Sequence, residues 1–225
     1  MKITQQGFAV LENDTHIGKW VEENKRLDFD QNAQPRINSY LKKGDVIIDA
    51  GANIGCYSYG FMSVIGDSGF IHAFEPSAKT FDCLVHNMSQ FKNVHLYSYA
   101  LGKKSGYVKV VEENDNVGMN FCENTDRVNA DCKVITIDSL NLNKCDFIKI
   151  DVEGFELDVL IGASQTIDTF KPKMYIEINS HTLKRAGINS GHIFDWLNIH
   201  GYTYKNIYPG QGLTDDQFDI IATPK

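Results

Sequence analysis

The sequence predicts an α/β fold with a doubly wound, mostly parallel sheet. Three observations carry that expectation. Short apolar runs rich in β-branched residues alternate with stretches of helical periodicity. A glycine-rich turn follows the first of these runs, where a strand would pass into a helix. The length, 225 residues, suits one domain of this class.

The elements follow in order. Gly7 to Leu11 reads as a short strand and Asn13-Asp14 as a turn. Between Gln34 and Lys42, Ile37, Tyr40 and Leu41 fall at i, i+3 and i+4, one face of a helix that Gly44 would stop. Val46-Ile47-Ile48-Asp49, bounded by Gly44 and Gly51, has the composition of a strand buried on both faces. Phe70 to Glu75 is a second strand. Phe81, Leu84, Val85 and Met88 then recur at helical spacing, and Pro76 and Ser77 suit the first turn. Val94 to Tyr99 is a third strand, and Phe147 to Ile150 another, ending at Asp151. Glu156 to Ala163 reads as helix and Met174 to Ile178 as strand, and Ile193, Trp196, Leu197 and His200 form a helical stripe. Tyr202 to Ile207 and Phe218 to Ala222 are separated by the Pro209-Gly210 turn region with no helix between, so they are expected to pair antiparallel at the C-terminal edge. Tyr107 to Val111 and Lys133 to Ile137 read as strands around a polar segment, Glu112 to Asp131. That segment is expected to be a long loop, of the kind that serves as a lid or binding element.

Composition narrows the function classes. Hydrophobic residues at 42% and charged residues at 23% give a globular balance and exclude a disordered chain. Lys and Arg number 22 against 29 Asp and Glu, a formal charge of −7. The general positive field on which nucleic-acid binding rests is missing, which moves RNA and DNA down the list of partners. No apolar run approaches the ~18 residues of a membrane span, and Met1 to Gly7 holds no apolar core of a secretory signal. The five cysteines form no Cys-x-x-Cys pair and the histidines show no ligand spacing. These features point to a cytoplasmic protein with reduced thiols and no zinc site.

The chemistry concentrates at strand ends. Asp49-Ala50-Gly51-Ala52-Asn53-Ile54-Gly55 is a strand ending in an acid, then a glycine-rich turn opening a helix. Such a turn lets a ligand lie against bare backbone, and its amides can face an anion. The dinucleotide pattern G-x-G-x-x-G fails twice, because Asn53 and Cys56 stand at its second and third glycines. The looser acid-x-G-x-G-x-G pattern of S-adenosyl-L-methionine sites is met by Asp49, Gly51 and Gly55, with Asn53 at the middle position. Glu75 ends the next strand, where an acid in such a fold accepts ribose hydroxyls. Asp151 and Glu153 follow the strand expected beside the first one, at the switch point where ligands bind. Paired carboxylates there can take a proton from a hydroxyl or hold a divalent metal. They would equally suit the start of the following helix, whose Glu156 reads as a surface acid. Glu177, at another strand end, and His181 form a weaker cluster, either base and substrate contact or strand-end acid and loop histidine.

Several blocks together resemble the FkbM-type S-adenosylmethionine-dependent methyltransferases. They are Gly44 to Gly55, Ala73-Phe74-Glu75-Pro76, Asn93-Val94, Ala100-Leu101-Gly102, Thr136 to Leu140 and Asp146 to Glu156. The resemblance implies a Rossmann-like, seven-stranded methyltransferase fold and methyl transfer to a hydroxyl of a sugar, glycan or other small molecule. It implies that Asp49, Gly51, Asn53 and Gly55 line the methionine part of the cofactor and that Glu75 holds the ribose. Pro76 and Ser77 would lie near the adenosine, Ala100 and Leu101 near the adenine, and Asp151 and Glu153 at the reaction centre. Residues 1–43 are then an extension on the substrate side and residues 44–225 the cofactor-binding domain. Methylation of protein or nucleic acid is the alternative. The Asn-Pro-Pro-Tyr type motif of amino-group methylation is absent, and Asp151-Val152-Glu153-Gly154 stands in its place. An NAD-dependent oxidoreductase is set back by the glycine spacing.

Overall fold

A computed structural model describes residues 1–28, 31–112, 116–125 and 127–225. The N-terminal segment forms β1 (Lys2–Ile3), β2 (Ala9–Val10), α1 (Ile17–Asn24) and α2 (Ala33–Asn38). The alternating body begins with β3 (Val46–Ala50), α3 (Cys56–Ile65), β4 (Phe70–Phe74), α4 (Ala78–Met88) and β5 (Val94–Tyr97). Four short strands follow: β6 (Ala100–Leu101), β7 (Gly106–Val111), β8 (Phe121–Asn124) and β9 (Cys132–Ile135). The chain then returns to the body through β10 (Phe147–Ile150), α5 (Glu156–Gly162), α6 (Ser164–Phe170) and β11 (Lys173–Asn179). It ends with α7 (Ser180–Arg185), α8 (Ser190–Ile199), β12 (Tyr202–Asn206) and β13 (Gln217–Pro224).

The main sheet has seven strands in the order β12-β13-β11-β10-β3-β4-β5. The five strands from β11 to β5 run parallel, and β13 lies antiparallel between β11 and β12. The expected antiparallel pair is therefore present. Winding starts at β3, moves out to β5, and returns to β10 on the other side of β3. That reversal opens a crevice at the carboxyl ends of β3 and β10.

Strand residues alternate between two cores, as the pleat requires. Ile48, Ala50, Ile148 and Ile150 pack with Val159 and Leu160 of α5, Leu183 of α7 and Leu197 of α8. Ile47, Ile71, Ala73 and Phe147 face the opposite core with Ile37 of α2, Phe61 of α3 and Leu84 of α4. Each fully buried Ile, Leu, Val or Phe among these contributes about 1.5–3 kcal/mol, which fixes the strand register. The same alternation puts Asp49 and Lys149 on the side of Ile47 and Phe147, two polar groups inside an apolar layer.

Asn87 is one of the side chains that fasten the N-terminal residues to the body. Asn87 of α4 accepts from Ala9 N at 2.7 Å, and its Nδ2 donates to Ala9 O at 3.0 Å and Ile54 O at 2.8 Å. Helix α1 follows a turn in which Asp14 accepts from Gly18 N at 2.7 Å and His16 N at 3.1 Å.

Three expectations need revision. The polar segment Glu112 to Asp131 is not simply a loop. It carries a single 3-10 turn (Val117–Met119) and β8, which pairs antiparallel with β7, while its residues 113–115 and 126 lie outside the described residues. Strands β6, β9, β7 and β8 form a second, four-stranded sheet. Helix α2 stops at Asn38, before Lys42. Helices α1, α6 and α7 lie where no helical periodicity stood out; α7 is too short to show any. No helix among the described residues is long and apolar enough to cross a membrane.

Candidate active site

The crevice at the switch point is a cleft whose floor is the turn after β3 and the turn after β10. These two turns touch. Gly51 sits at φ +80, and a Cβ there would lie 1.8 Å from the Asp151 carbonyl oxygen. Only glycine fits, for both conformational and steric reasons. Asn53 is also left-handed, at φ 52, a conformation asparagine tolerates.

The amides of this loop are consumed by the protein itself. Gly51 N and Ala52 N donate to Phe74 O at 3.1 and 2.8 Å, and Gly55 N donates to Ala52 O at 2.9 Å. Ile54 N donates to Asn53 Oδ1 at 2.7 Å and Asn53 N to Glu75 Oε2 at 2.9 Å. The expectation that loop amides would face an anion is therefore corrected: all five, Gly51 to Gly55, have internal acceptors.

Glu75 is the other end of that arrangement. Its Oε2 takes Asn53 N, its Oε1 takes Ser77 N at 2.9 Å, and the residue is buried. Burial pushes its carboxyl up to about 7, against the pull of the two amides. Each oxygen keeps a lone pair for a further donor. Pro76 lines the cleft beside it. Ser77 does not: it is buried as the N-cap of α4, accepting from Thr80 N at 3.4 Å and donating to Glu112 Oε1 at 2.9 Å.

Behind the floor lies an ion cluster in which Lys149 and Asp49 are fully buried and Asp151 is partly exposed. Lys149 Nζ is 3.2 Å from Asp49 Oδ1 and 3.3 Å from Asp151 Oδ2, and it donates to Gly51 O at 2.8 Å. Burial opposes the ammonium charge, but Asp151 and Asp49 outweigh it and hold the lysine above its ordinary pKa. Ser58 Oγ donates to Asp49 Oδ2 at 2.6 Å. Asp49 thus supports the cleft from behind and does not line it; nor does Gly55, the N-cap of α3.

Asp151 and Glu153 both line the cleft. Glu153 is pushed up to about 8, first by burial and then by the neighbouring Asp151 and Glu156 carboxylates. Glu177 reaches the same place from β11. The nearest oxygens of Asp151, Glu153 and Glu177 lie within 4.8 Å of one another. Burial, and the Asp151 carboxylate with which it shares a hydrogen bond, hold Glu177 well above the usual carboxylate range. Glu156, expected at the surface, is buried: its Oε1 accepts from Gly154 N at 2.9 Å, and burial pushes it up to about 7. The turn it closes needs that internal acceptor. His181 is not brought to this cluster; it is exposed on the first turn of α7, outside the cleft lining.

Ala100 and Leu101 line the cleft from β6. Further lining residues that the sequence reading did not place here include Ile17, Tyr57, Tyr99 and Lys149, and Phe121 lines the cleft as well. Only Lys149 left a signal, a lone charge within Phe147-Ile148-Lys149-Ile150. Phe121 belongs to β8, which covers the cleft; the Arg185 guanidinium lies 3.6 Å above its ring and donates to Glu153 O at 2.9 Å.

A family model for the methyltransferase FkbM domain matches residues 49–204. The chain belongs to this family. Methyltransferase 1 of Beauveria bassiana is 29% identical over 145 residues, covering 52% of this chain and 57% of that protein. Hexuronic acid methyltransferase AglP of Haloferax volcanii is 28% identical over 137 residues, covering 57% of this chain and 54% of that protein. The chain spans just over half the length of these curated relatives. Among solved structures, methyltransferase FkbM from Methylobacillus flagellatus superposes with a TM-score of 0.55 at 18% identity, over 81% of this chain and 44% of that one. Precorrin-6y C5,15-methyltransferase from Geobacter metallireducens does so with a TM-score of 0.51 at 16% identity, over 99% and 98%. The structural likeness establishes the fold, a Rossmann-like methyltransferase sheet. The family match takes in the β3 and β10 turns that form the cleft floor.

Proposed function

We propose that this FkbM-family chain is an S-adenosylmethionine-dependent O-methyltransferase acting on a hydroxyl of a sugar, glycan or other small molecule. The observation that carries the reading is the acidic lining of the cleft, where Asp49 and Asp151 outnumber the one lysine between them and Glu75 ionises at about 7. Glu75, Asp151 and Glu153 line it, and its lysine is already shared between Asp49 and Asp151. No amide from Gly51 to Gly55 is left for an anion. A unit charge about 6 Å from a carboxylate feels roughly 3 kcal/mol at an effective dielectric of about 20. That favours a sulfonium nucleoside and disfavours a pyrophosphate.

The residues fit such a cofactor. Glu75 would accept the ribose hydroxyls. Gly51 and Asn53 would back the methionine portion, and Pro76, Ala100 and Leu101 would flank the adenosine. When bound, the cofactor supplies a methyl group on positively charged sulfur. The chain's own task is to place the acceptor oxygen and to remove its proton. A hydroxyl is a poor nucleophile until that proton leaves, and Asp151 or Glu153 takes it. Lys149 fixes Asp151 in position. Residues 1–43 contribute Ile17 to the lining and would shape the acceptor side. The relative named for a hexuronic acid supports a sugar acceptor.

Calorimetric titration tests the cofactor class. Micromolar binding of S-adenosylmethionine and S-adenosylhomocysteine, with none of NADH, is expected; binding of NADH alone overturns the reading. Asp151→Asn is expected to abolish turnover while leaving S-adenosylhomocysteine affinity within a few-fold. Undiminished activity would remove Asp151 from the mechanism. Screening sugars beside RNA and peptides separates the small-molecule reading from its alternative.

A further inference from the structure

Proton removal needs one base, yet three carboxylates converge at the end of the cleft. We propose that Asp151, Glu153 and Glu177 form a binding site for one hard divalent cation, Mg²⁺ or Mn²⁺. This deepens the methyltransferase reading and rests on it for the cation's purpose.

Two independent observations point to a missing ligand. The first is spacing. The three carboxylates come from two different strand ends, and their nearest oxygens lie within 4.8 Å of one another. Ligands on opposite sides of Mg²⁺ sit about 4.2 Å apart, and on opposite sides of Ca²⁺ about 4.8 Å. The second is an unmet acceptor. The Glu153 side chain is buried, and its Oε2 has neither solvent nor a hydrogen-bond partner among the described residues. The nearby cations do not answer it. Lys149 is divided among Asp49, Asp151 and Gly51 O. Arg185 gives a guanidinium N–H to the Glu153 backbone oxygen and lays its face on Phe121. Carboxylate oxygens without histidine or thiolate select hard cations.

Asp151 and Glu153 face the cleft, so a cation held by them has its open positions toward the acceptor. It would lower the pKa of a hydroxyl that it ligates, a task the proposed function otherwise leaves to a carboxylate base alone.

The test is Mn²⁺ binding to the full chain, followed by electron paramagnetic resonance of free Mn²⁺, with no acceptor present. One Mn²⁺ per chain is expected, displaced by Mg²⁺. Glu153→Gln and Glu177→Gln are each expected to weaken it at least tenfold while the melting transition stays cooperative. Absence of binding at millimolar Mn²⁺, or equal binding by the wild type and both variants, overturns the proposal. S-adenosylhomocysteine affinity in the same samples separates the two readings. A chain that binds the nucleoside but no Mn²⁺ refutes the cation site only. One that binds Mn²⁺ at these carboxylates but no nucleoside keeps the site and refutes the cofactor.

Discussion

Lys149 Nζ lies 3.2 Å from Asp49 Oδ1, with both side chains shut off from solvent. This pair joins β10 to β3 under the cleft floor, and the same ammonium holds Gly51 O. Replacing Lys149 with Met leaves Asp49 buried with only Ser58 to satisfy it. The expected loss is about 3–5 kcal/mol, the cost of stranding one partner of a buried ion pair. Urea denaturation measures it. Adding Asp49→Asn should recover part of the loss; no recovery would mean that the lysine acts through Asp151 or Gly51 instead.

Gly51→Ala drives a methyl group against the Asp151 carbonyl and imposes a left-handed φ on alanine. The two turns must separate. A destabilisation of at least about 2 kcal/mol is expected, together with loss of S-adenosylhomocysteine binding. Wild-type affinity in this variant would show that the ligand does not lie on this turn.

In the proposed role Glu75 must be ionised to accept from a ribose diol, and burial pushes its carboxyl up to about 7. Below that pH its proton makes one oxygen a donor. S-adenosylhomocysteine affinity is therefore expected to strengthen from about pH 6 to about pH 8. Glu75→Gln should bind about ten- to a hundredfold more weakly and lose most of this dependence. A variant that keeps the wild-type slope would assign the titration elsewhere.

The buried acids also predict a pH dependence of stability. Glu75 and Glu156 are raised to about 7, Glu153 to about 8, and Glu177 well above the usual carboxylate range, all first by burial. The folded chain keeps these protons where an unfolded chain, with carboxyls near 4.5, has released them. The contribution is therefore complete at low pH and is lost as pH rises through 7 to 8. Ligand-free, chelator-treated protein should melt lower at about pH 9 than at about pH 6. Glu156→Gln should flatten that difference, and an unchanged slope would remove Glu156 from it.

The sequence by itself determined the seven strands of the main sheet and the helices α4, α5 and α8, because apolar period reports which faces are buried. It also marked Gly51, Glu75, Asp151 and Glu153, since strand ends beside glycine turns are where an α/β sheet exposes groups to a ligand. It misjudged residues whose roles depend on partners far along the chain. Asp49 looked like a ligand contact, but Lys149, a hundred positions away, turns it into a support. Glu156 looked superficial until its own turn folded over it. His181 stood near Glu177 in sequence, yet α7 carries it to solvent. The strand β8 has too few residues to announce itself and exists through pairing with β7. Only the tertiary structure could bring Glu177 beside Asp151 and Glu153, because that meeting is set by β10 and β11 lying parallel in register. Local sequence records which residues are buried; contacts between strand ends are fixed by the sheet that aligns them.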